Sequence, residues 1–437
     1  MITGETHTGE THTIAIRSGA RLFRLQVPRR NLMTLVEPHE TQPAPDLATE
    51  LRRALREPIG LAPFSAMIRG GERLLILVDD LTRETPAAEM LPMLLEELEV
   101  EKRKVEVTVL IALGTHRKMT PEEIEKKVGR AIVRRYRVLN HEWEDESALV
   151  YLGTTRNGTP LMVNRLIQET DLCLGIGCIL PHDLAGWSGG AKIVQPGICG
   201  KATTYHTHLL SAHNITTYLG TRVNPLRREI EEMAQQVNLT GIINVVLNRH
   251  GEVLHVVAGD TVEAHRRGVE LARAVWEVAV PARADIVVVS SYPKEIDFWQ
   301  GNMGLQAAER IVKRGGEIIL LASCSEGLSG QAEHAATMTA LTGVPSRSLS
   351  IEFRRQGLHD LAALGCSEIA ARCRELAWVS VISEGLSDAD VTALGFERAD
   401  DVDQAMARAL ERQGEHATIV VMPHGGEIFP VLDAERE

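Results

Sequence analysis

Short runs of Val, Ile and Leu that stop abruptly in polar or glycine-rich segments recur along the chain, and they constrain the fold more than any other feature. They occupy residues 73–78, 105–112, 172–176, 286–289, 318–321, 379–382 and 419–421. Each is too short for a useful helix and rich in β-branched residues, so each reads as a strand buried on both faces. Amphipathic stretches at 87–99, 121–135, 225–237 and 262–278 lie between them. Strands alternating with helices imply an α/β fold with mainly parallel sheets.

At 437 residues the chain exceeds one ordinary core, so two α/β domains are expected. Val-rich runs on either side of Asn248-Arg249-His250-Gly251 read as a hairpin that closes the first domain. The boundary then falls near residue 280, giving an N-terminal cofactor-binding domain at 1–280 and a C-terminal domain at 281–415. Residues 1–13, with their repeated GETHT, read as a loose tail whose His7 and His12 are solvated. The final strand and tail at 416–437 fit either domain.

A formal net charge of -12 argues against nucleic acid or an anionic membrane surface as partner, since tracking phosphates needs excess Lys and Arg. No apolar run has the length to cross a bilayer, and the polar N-terminus lacks the apolar centre of a signal peptide. Cys173, Cys178, Cys199, Cys324, Cys366 and Cys373 stand in apolar surroundings without a CxxC pair, so neither a zinc knuckle nor a thioredoxin motif is supported. Reduced, mostly buried thiols in a cytoplasmic protein are the expectation.

In parallel sheets ligands gather beyond the carboxyl ends of strands, and the residues there are rich in chemical groups. After the first run stands Asp79-Asp80-Leu81-Thr82-Arg83, readable equally as a helix cap with surface charges or as a ligand site with Arg83 forked onto a carboxylate. After the second stands Gly114-Thr115-His116-Arg117, then Thr120 and Glu123 as a capping box; a loop histidine is more often solvated than catalytic. After the third comes Pro181-His182-Asp183-Leu184-Ala185-Gly186-Trp187-Ser188-Gly189-Gly190-Ala191-Lys192. Its glycines suit either a structural turn or a cradle whose amides meet an anion. It is not a Walker A loop, because Ile193 follows Lys192, and Gly175-Ile176-Gly177 lacks the third glycine of a dinucleotide fingerprint. His206, His208 and His213 do not share a helical face as zinc ligands would, so one imidazole serving a cofactor-borne metal is the better reading.

At these residues the chain resembles the lactate racemase family, enzymes that use a nickel-pincer nucleotide. The blocks are DDLTR at 79–83, GTHR at 114–117, PHDLAGWSGGAK at 181–192, PGICG at 196–200 with His208, and YPKEIDFWQ at 292–300. Their order and spacing extend over more than half the chain; the 182–192 block is highly specific, and the first two are weak singly. The resemblance implies two α/β domains with the active site in the cleft between them, and a 2-hydroxy-acid racemase or epimerase. It implies a pyridinium bisthiocarboxylic acid mononucleotide bearing nickel, covalently linked at Lys192, with His208 as nickel ligand. Asp80, Thr82, Ser188, Gly189 and Gly190 would hold the nucleotide. His116 and His182 would be the acid/base pair, and Arg83 with Gln300 would bind the substrate carboxylate. Enzymes that make the cofactor would be partners, and a homodimer is left open.

Met303 departs from the family, where a lysine is expected, and Trp299 stands where tyrosine is more usual. Loss of that cation points to a short-chain aliphatic, lactate-like acid; a bulkier or polar acid is the competing expectation. Two other functions remain in view, an NAD-dependent 2-hydroxyacid dehydrogenase and a protein that stores the nickel nucleotide. Glu295 and Asp297 read as rim charges beside Gln300, while His141, His250, His255, His334 and His359 read as surface or satisfied interior residues, and His424 as part of a C-terminal turn.

Overall fold

The computed structural model describes residues 11–212 and 217–435, so His7 and His213 lie outside the described residues. The chain forms two compact units, one drawn from residues 40–211 and 220–275, the other from 1–39, 212–219 and 276–437. No helix among the described residues is long and apolar enough to cross a membrane.

The first unit holds a six-stranded sheet in the order 253–259, 241–247, 172–178, 73–79, 106–112, 137–140. All neighbours are parallel except the hairpin Gly241–Leu247/Val253–Gly259. Arg73–Asp79 is the earliest strand, and the chain leaves it first toward Glu106–Ala112 and later returns on its other side with Leu172–Cys178. The order therefore reverses between 73–79 and 172–178, the crevice position where parallel sheets bind ligands. The helix expected over 121–135 is two, Pro121–Val128 and Arg130–Arg135, because Gly129 adopts φ 89°. Thr120 and Glu123 form the expected capping box.

The second unit carries a six-stranded sheet in the order 397–398, 378–382, 312–321, 284–290, 419–422, 32–35, parallel throughout. The strand Ile419–Met422 thus belongs here, and a further strand, Phe429–Leu432, pairs with Glu277–Val280 in the same unit. The start of the chain belongs here too, which corrects two expectations. Residues 11–39 leave the N-terminal domain, and Thr11–Thr13 are not tail but the opening of a hairpin, Thr11–Ser18/Arg21–Pro28. Its alternation buries Ile14, Ile16, Phe23, Leu25 and Val27 against Ile286, Val288 and Val421. The driving force is apolar area that a free tail would leave in water.

Glu295, expected at a rim, is buried and clamps this hairpin to the sheet. Its carboxylate accepts from Ser18 Oγ at 2.7 Å, Gly19 N at 2.6 Å and Ser323 N at 2.8 Å. Asp297 caps the helix Phe298–Ile311 through Gln300 N at 2.9 Å. All six cysteines are free and buried. Glu295→Ala should strand three donors and lower stability by roughly 3 kcal/mol, read as a fall in the urea midpoint. A change under about 1 kcal/mol would mean that the clamp contributes little.

Candidate active site

The parallel register sends the segments after 73–79, 106–112 and 172–178 out of one sheet edge, and their polar groups meet there. Asp79 and Asp80 have separate tasks. Asp79 is structural: Thr85 Oγ donates to it at 2.5 Å, and the buried Lys127 ammonium pairs with it at 2.7 Å. Asp80 faces the adjacent loop, where its Oδ2 lies 2.6 Å from His116 Nδ1. Its Oδ1 accepts from Thr82 N at 3.0 Å and Thr82 Oγ at 2.6 Å. Burial opposes charge on Asp80, but the pull of His116, hydrogen bonds from His116 and Thr82, and the nearby Arg83 outweigh it and hold the carboxyl below the usual range. A carboxylate can only accept, so Nδ1 of His116 carries the proton and Nε2 is its exchanging nitrogen. The His116 side chain is 35% exposed.

The third loop repeats the pairing in a drier setting. His182 Nδ1 lies 2.9 Å from Asp183 Oδ1 and also 3.2 and 3.4 Å from the amides of Leu184 and Ala185. Both amides donate to Nδ1, so Nδ1 holds the lone pair and Nε2 carries the hydrogen of the neutral ring, with the Asp183 carboxylate a close charged neighbour. Burial first, then the positive charges of Lys192 and Arg83, push the imidazole down to about 3 against the opposing effect of Asp183. His182 is therefore neutral near pH 7. Arg83 acts on both Asp80 and His182, and its Nη1 is steadied by Thr82 O at 2.9 Å and Thr82 Oγ at 3.1 Å.

The 186–190 turn is built from the inside. Ser188 Oγ donates to Cys178 O at 2.8 Å and accepts from Leu180 N at 2.9 Å, and Gly190 N donates to Asn244 Oδ1 at 2.8 Å. A Cβ on Gly189 would lie 2.8 Å from Ile179, and one on Gly190 would lie 2.8 Å from the His265 ring. Ser188, Gly189 and Gly190 thus shape the loop that presents Lys192; the Ser188 hydroxyl and the Gly190 amide are not open donors to an anion. Likewise Asp80 and Thr82, expected to hold a nucleotide, are engaged with His116, Arg83 and each other.

His208 lies on the helix Lys201–Ala212. Its Nδ1 is 2.7 Å from Thr204 O, an obligate acceptor, so Nδ1 carries hydrogen and Nε2 the lone pair. That is the usual arrangement of a metal-binding imidazole. One hydrogen bond, Gln195 Nε2 to Thr207 Oγ at 2.6 Å, joins the segment after Lys192 to the residue before His208. Among the described residues no three His, Cys, Asp or Glu side chains form a metal site. His208 could supply one imidazole nitrogen to a metal.

Family-wide sequence models described as lactate racemase N-terminal domain and lactate racemase C-terminal domain match residues 18–219 and 279–429. The chain belongs to the lactate racemase family. It is 33% identical over 287 residues to a lactate racemase of Thermoanaerobacterium thermosaccharolyticum, covering 64% of this chain and 67% of that protein. To a lactate racemase of Lactiplantibacillus plantarum it is 29% identical over 380 residues, covering 86% and 89%. The structure of the T. thermosaccharolyticum lactate racemase apoprotein superposes with TM-score 0.88 at 26% identity, covering 96% of this chain and all (100%) of that one. A Thermotoga maritima protein at 18% identity shares the fold, with TM-score 0.71 over 90% of this chain and 100% of its own.

Family motifs reveal the loops but not what holds them, and several supporting residues have no sequence signal. Trp143 Nε1 donates to His116 O at 3.1 Å. His141, wholly buried, lies 3.0 Å from Cys199 O through Nε2 and 3.1 Å from Asn164 Nδ2 through Nδ1, fixing the turn before the His208 helix. Gly114 N donates to Gly197 O at 2.9 Å, tying the His116 turn to that same segment. Asp183 was legible as a neighbour of His182, though not as its partner. Gln300 and Met303 belong to the other unit, on the helix Phe298–Ile311, where Met303 is 7% exposed.

Lys192→Met should raise the His182 pKa, because it removes one of the charges that disfavour the imidazolium; burial and Arg83 remain, so recovery is partial. Titrating the His182 ring by NMR in the apoprotein tests this, and an unchanged midpoint would mean that the two groups do not sense each other.

Proposed function

We propose that this chain is a racemase of short-chain aliphatic 2-hydroxy acids such as lactate, with a nickel-pincer nucleotide linked at Lys192 and nickel ligated by His208. The observation that carries the reading is the paired dyads, Asp80–His116 and Asp183–His182, on neighbouring loops of one sheet edge. A racemase must take a proton from the hydroxyl of one enantiomer and return one to that of the other, and two imidazoles, one taking and one giving, suit that work. Family membership supports the activity.

When bound, the nucleotide supplies reversible hydride acceptance at the substrate carbon. The chain's own groups supply the remainder. Arg83 grips the substrate carboxylate through its fork. Nε2 of one histidine takes the hydroxyl proton, and its carboxylate partner stabilises the imidazolium that results. The second histidine, protonated while the first is neutral, gives its proton to the substrate oxygen when the opposite enantiomer forms and ends neutral. Lys192 would supply the amine for the covalent link, and His208 the imidazole for the metal.

A conventional NAD-dependent dehydrogenase is less well supported. Gly175 and Gly177 sit inside the strand Leu172–Cys178, where a Cβ on Gly175 would lie 2.7 Å from Ile193; they admit a packed side chain rather than a pyrophosphate. A storage protein would need Lys192 and His208 but neither dyad.

In protein made where the cofactor is synthesised, the wild type should interconvert the lactate enantiomers. His116→Ala and His182→Ala should each lower turnover by about 10³-fold or more, with nickel content and the Lys192 mass adduct retained. Asp80→Asn should lower kcat roughly 10²- to 10⁴-fold. Full activity in both histidine variants would remove the two imidazoles from the acid/base role, and nickel binding without racemisation by the wild type would return the storage reading. Among lactate, 2-hydroxybutyrate, malate and gluconate, preference for malate would defeat the aliphatic assignment.

A further inference from the structure

The loop between His182 and Lys192 is secured by a group to which no part of the proposed reaction assigns a role. Arg227, on the helix Pro225–Gln236, is 0% exposed. Its guanidinium reaches three backbone carbonyls on alternate residues of the loop. Nε donates to Ala185 O at 3.3 Å, Nη1 to Gly189 O at 3.3 Å, and Nη2 to Trp187 O. The intervening carbonyl, of Ser188, lies 2.9 Å from His265 Nε2, with Arg266 Nη1 3.1 Å from His265 Nδ1 and paired with Glu231 at 2.6 Å.

We propose that Arg227 is a positioning residue that fixes the separation and orientation of His182 relative to Lys192. Its acceptors are suited to that task. Residues 181–182 pair with 186–187 in a two-residue ladder, His182 opposite Gly186 and Pro181 opposite Trp187. Holding the carbonyls of Ala185 and Trp187 on either side of Gly186 therefore holds the strand bearing His182. Gly189 O, the third acceptor, also receives Lys192 N at 3.3 Å, where the chain enters the 3-10 turn Gly190–Ile193. One rigid, planar group thus joins both functional ends of the loop.

A structural filler would not need this chemistry. Burial pushes the guanidinium down to about 9, a direction that Glu231 opposes and Arg266 reinforces, so charge is held here against a desolvation penalty. Neutral side chains could fill the volume, but none offers donors to three carbonyls in a fixed fork. Lysine keeps the charge and loses the fork.

The inference rests on the functional reading above, and its test separates the two. Arg227→Lys and Arg227→Gln are prepared with the wild type, as apoprotein and in a cofactor-competent host. In the apoprotein, the His182 ring resonances should move in both variants while those of His141 stay fixed. In loaded protein, kcat per nickel should fall about 100-fold or more while KM changes less than about threefold, with Lys suffering less than Gln. Unmoved His182 resonances, or activity falling only with the folded fraction, would overturn the assignment, as would failure of both variants to fold, which would make Arg227 purely structural. If the wild type racemises no 2-hydroxy acid, the functional reading fails, while the His182 resonances still decide the role of Arg227.

Discussion

Backbone carbonyls in an irregular, buried loop need partners, and in this protein that requirement organises the site. The segment from Ile179 to Gly200 lies largely in the interior, with a two-residue ladder and one isolated bridge as its regular pairing. Turn and loop amides satisfy part of its backbone, and buried side chains complete the rest. Arg227, His265, Ser188, Asn244 and His141 each end on this backbone or bond its polar groups. His265 illustrates the consequence. Burial, Arg227 and Arg266 push its imidazole well below the ordinary value, so it stays neutral and can donate at Nε2 while accepting at Nδ1. The loop is stiff without being regular, a condition that geometrically demanding chemistry favours.

On this frame the two dyads have unequal surroundings. His116 is partly open to water beside a buried carboxylate, whereas His182 is enclosed near Lys192 and Arg83. Charge on His182 is disfavoured mainly by burial and next by Lys192. The charge of Lys192 and the basicity of His182 are therefore linked.

The sequence exposed what depends on local pattern. Aliphatic runs located the strands, Thr120 and Glu123 announced a helix start, and strand ends pointed to the loops at 79–85, 113–118 and 179–192. What stayed hidden depends on contacts between distant residues. Nothing near Asp79 and Asp80 tells which one will face Lys127 and which His116, since that depends on a neighbouring strand and helix. Arg227 and His141 have no motif around them; their partners lie 38–42 and 58 positions away in sequence. The hairpin at 11–28 carried the period-two signal in Ile14, Ile16, Phe23, Leu25 and Val27, but the adjoining polar tail obscured it.

The helix Phe298–Ile311 shows how its own side chains tie an apolar position into a fixed scaffold. Asp297 caps it, Asn302 Nδ2 donates to Trp299 O at 2.6 Å, and Gln306 Nε2 donates to Asn302 Oδ1 at 2.7 Å, so its first turns are tied internally. Trp299 lies flat on His334, with ring centroids 4.7 Å apart and planes 7° from parallel, and His334 in turn bonds Asp360. Stacking on a buried imidazole–carboxylate pair fixes the indole as a rigid wall. Met303, one turn further on, is almost fully buried and brings no charge. A lysine there would need water or a carboxylate to keep its ammonium, whereas a thioether needs only apolar neighbours. Met at this position is therefore compatible with the surrounding packing.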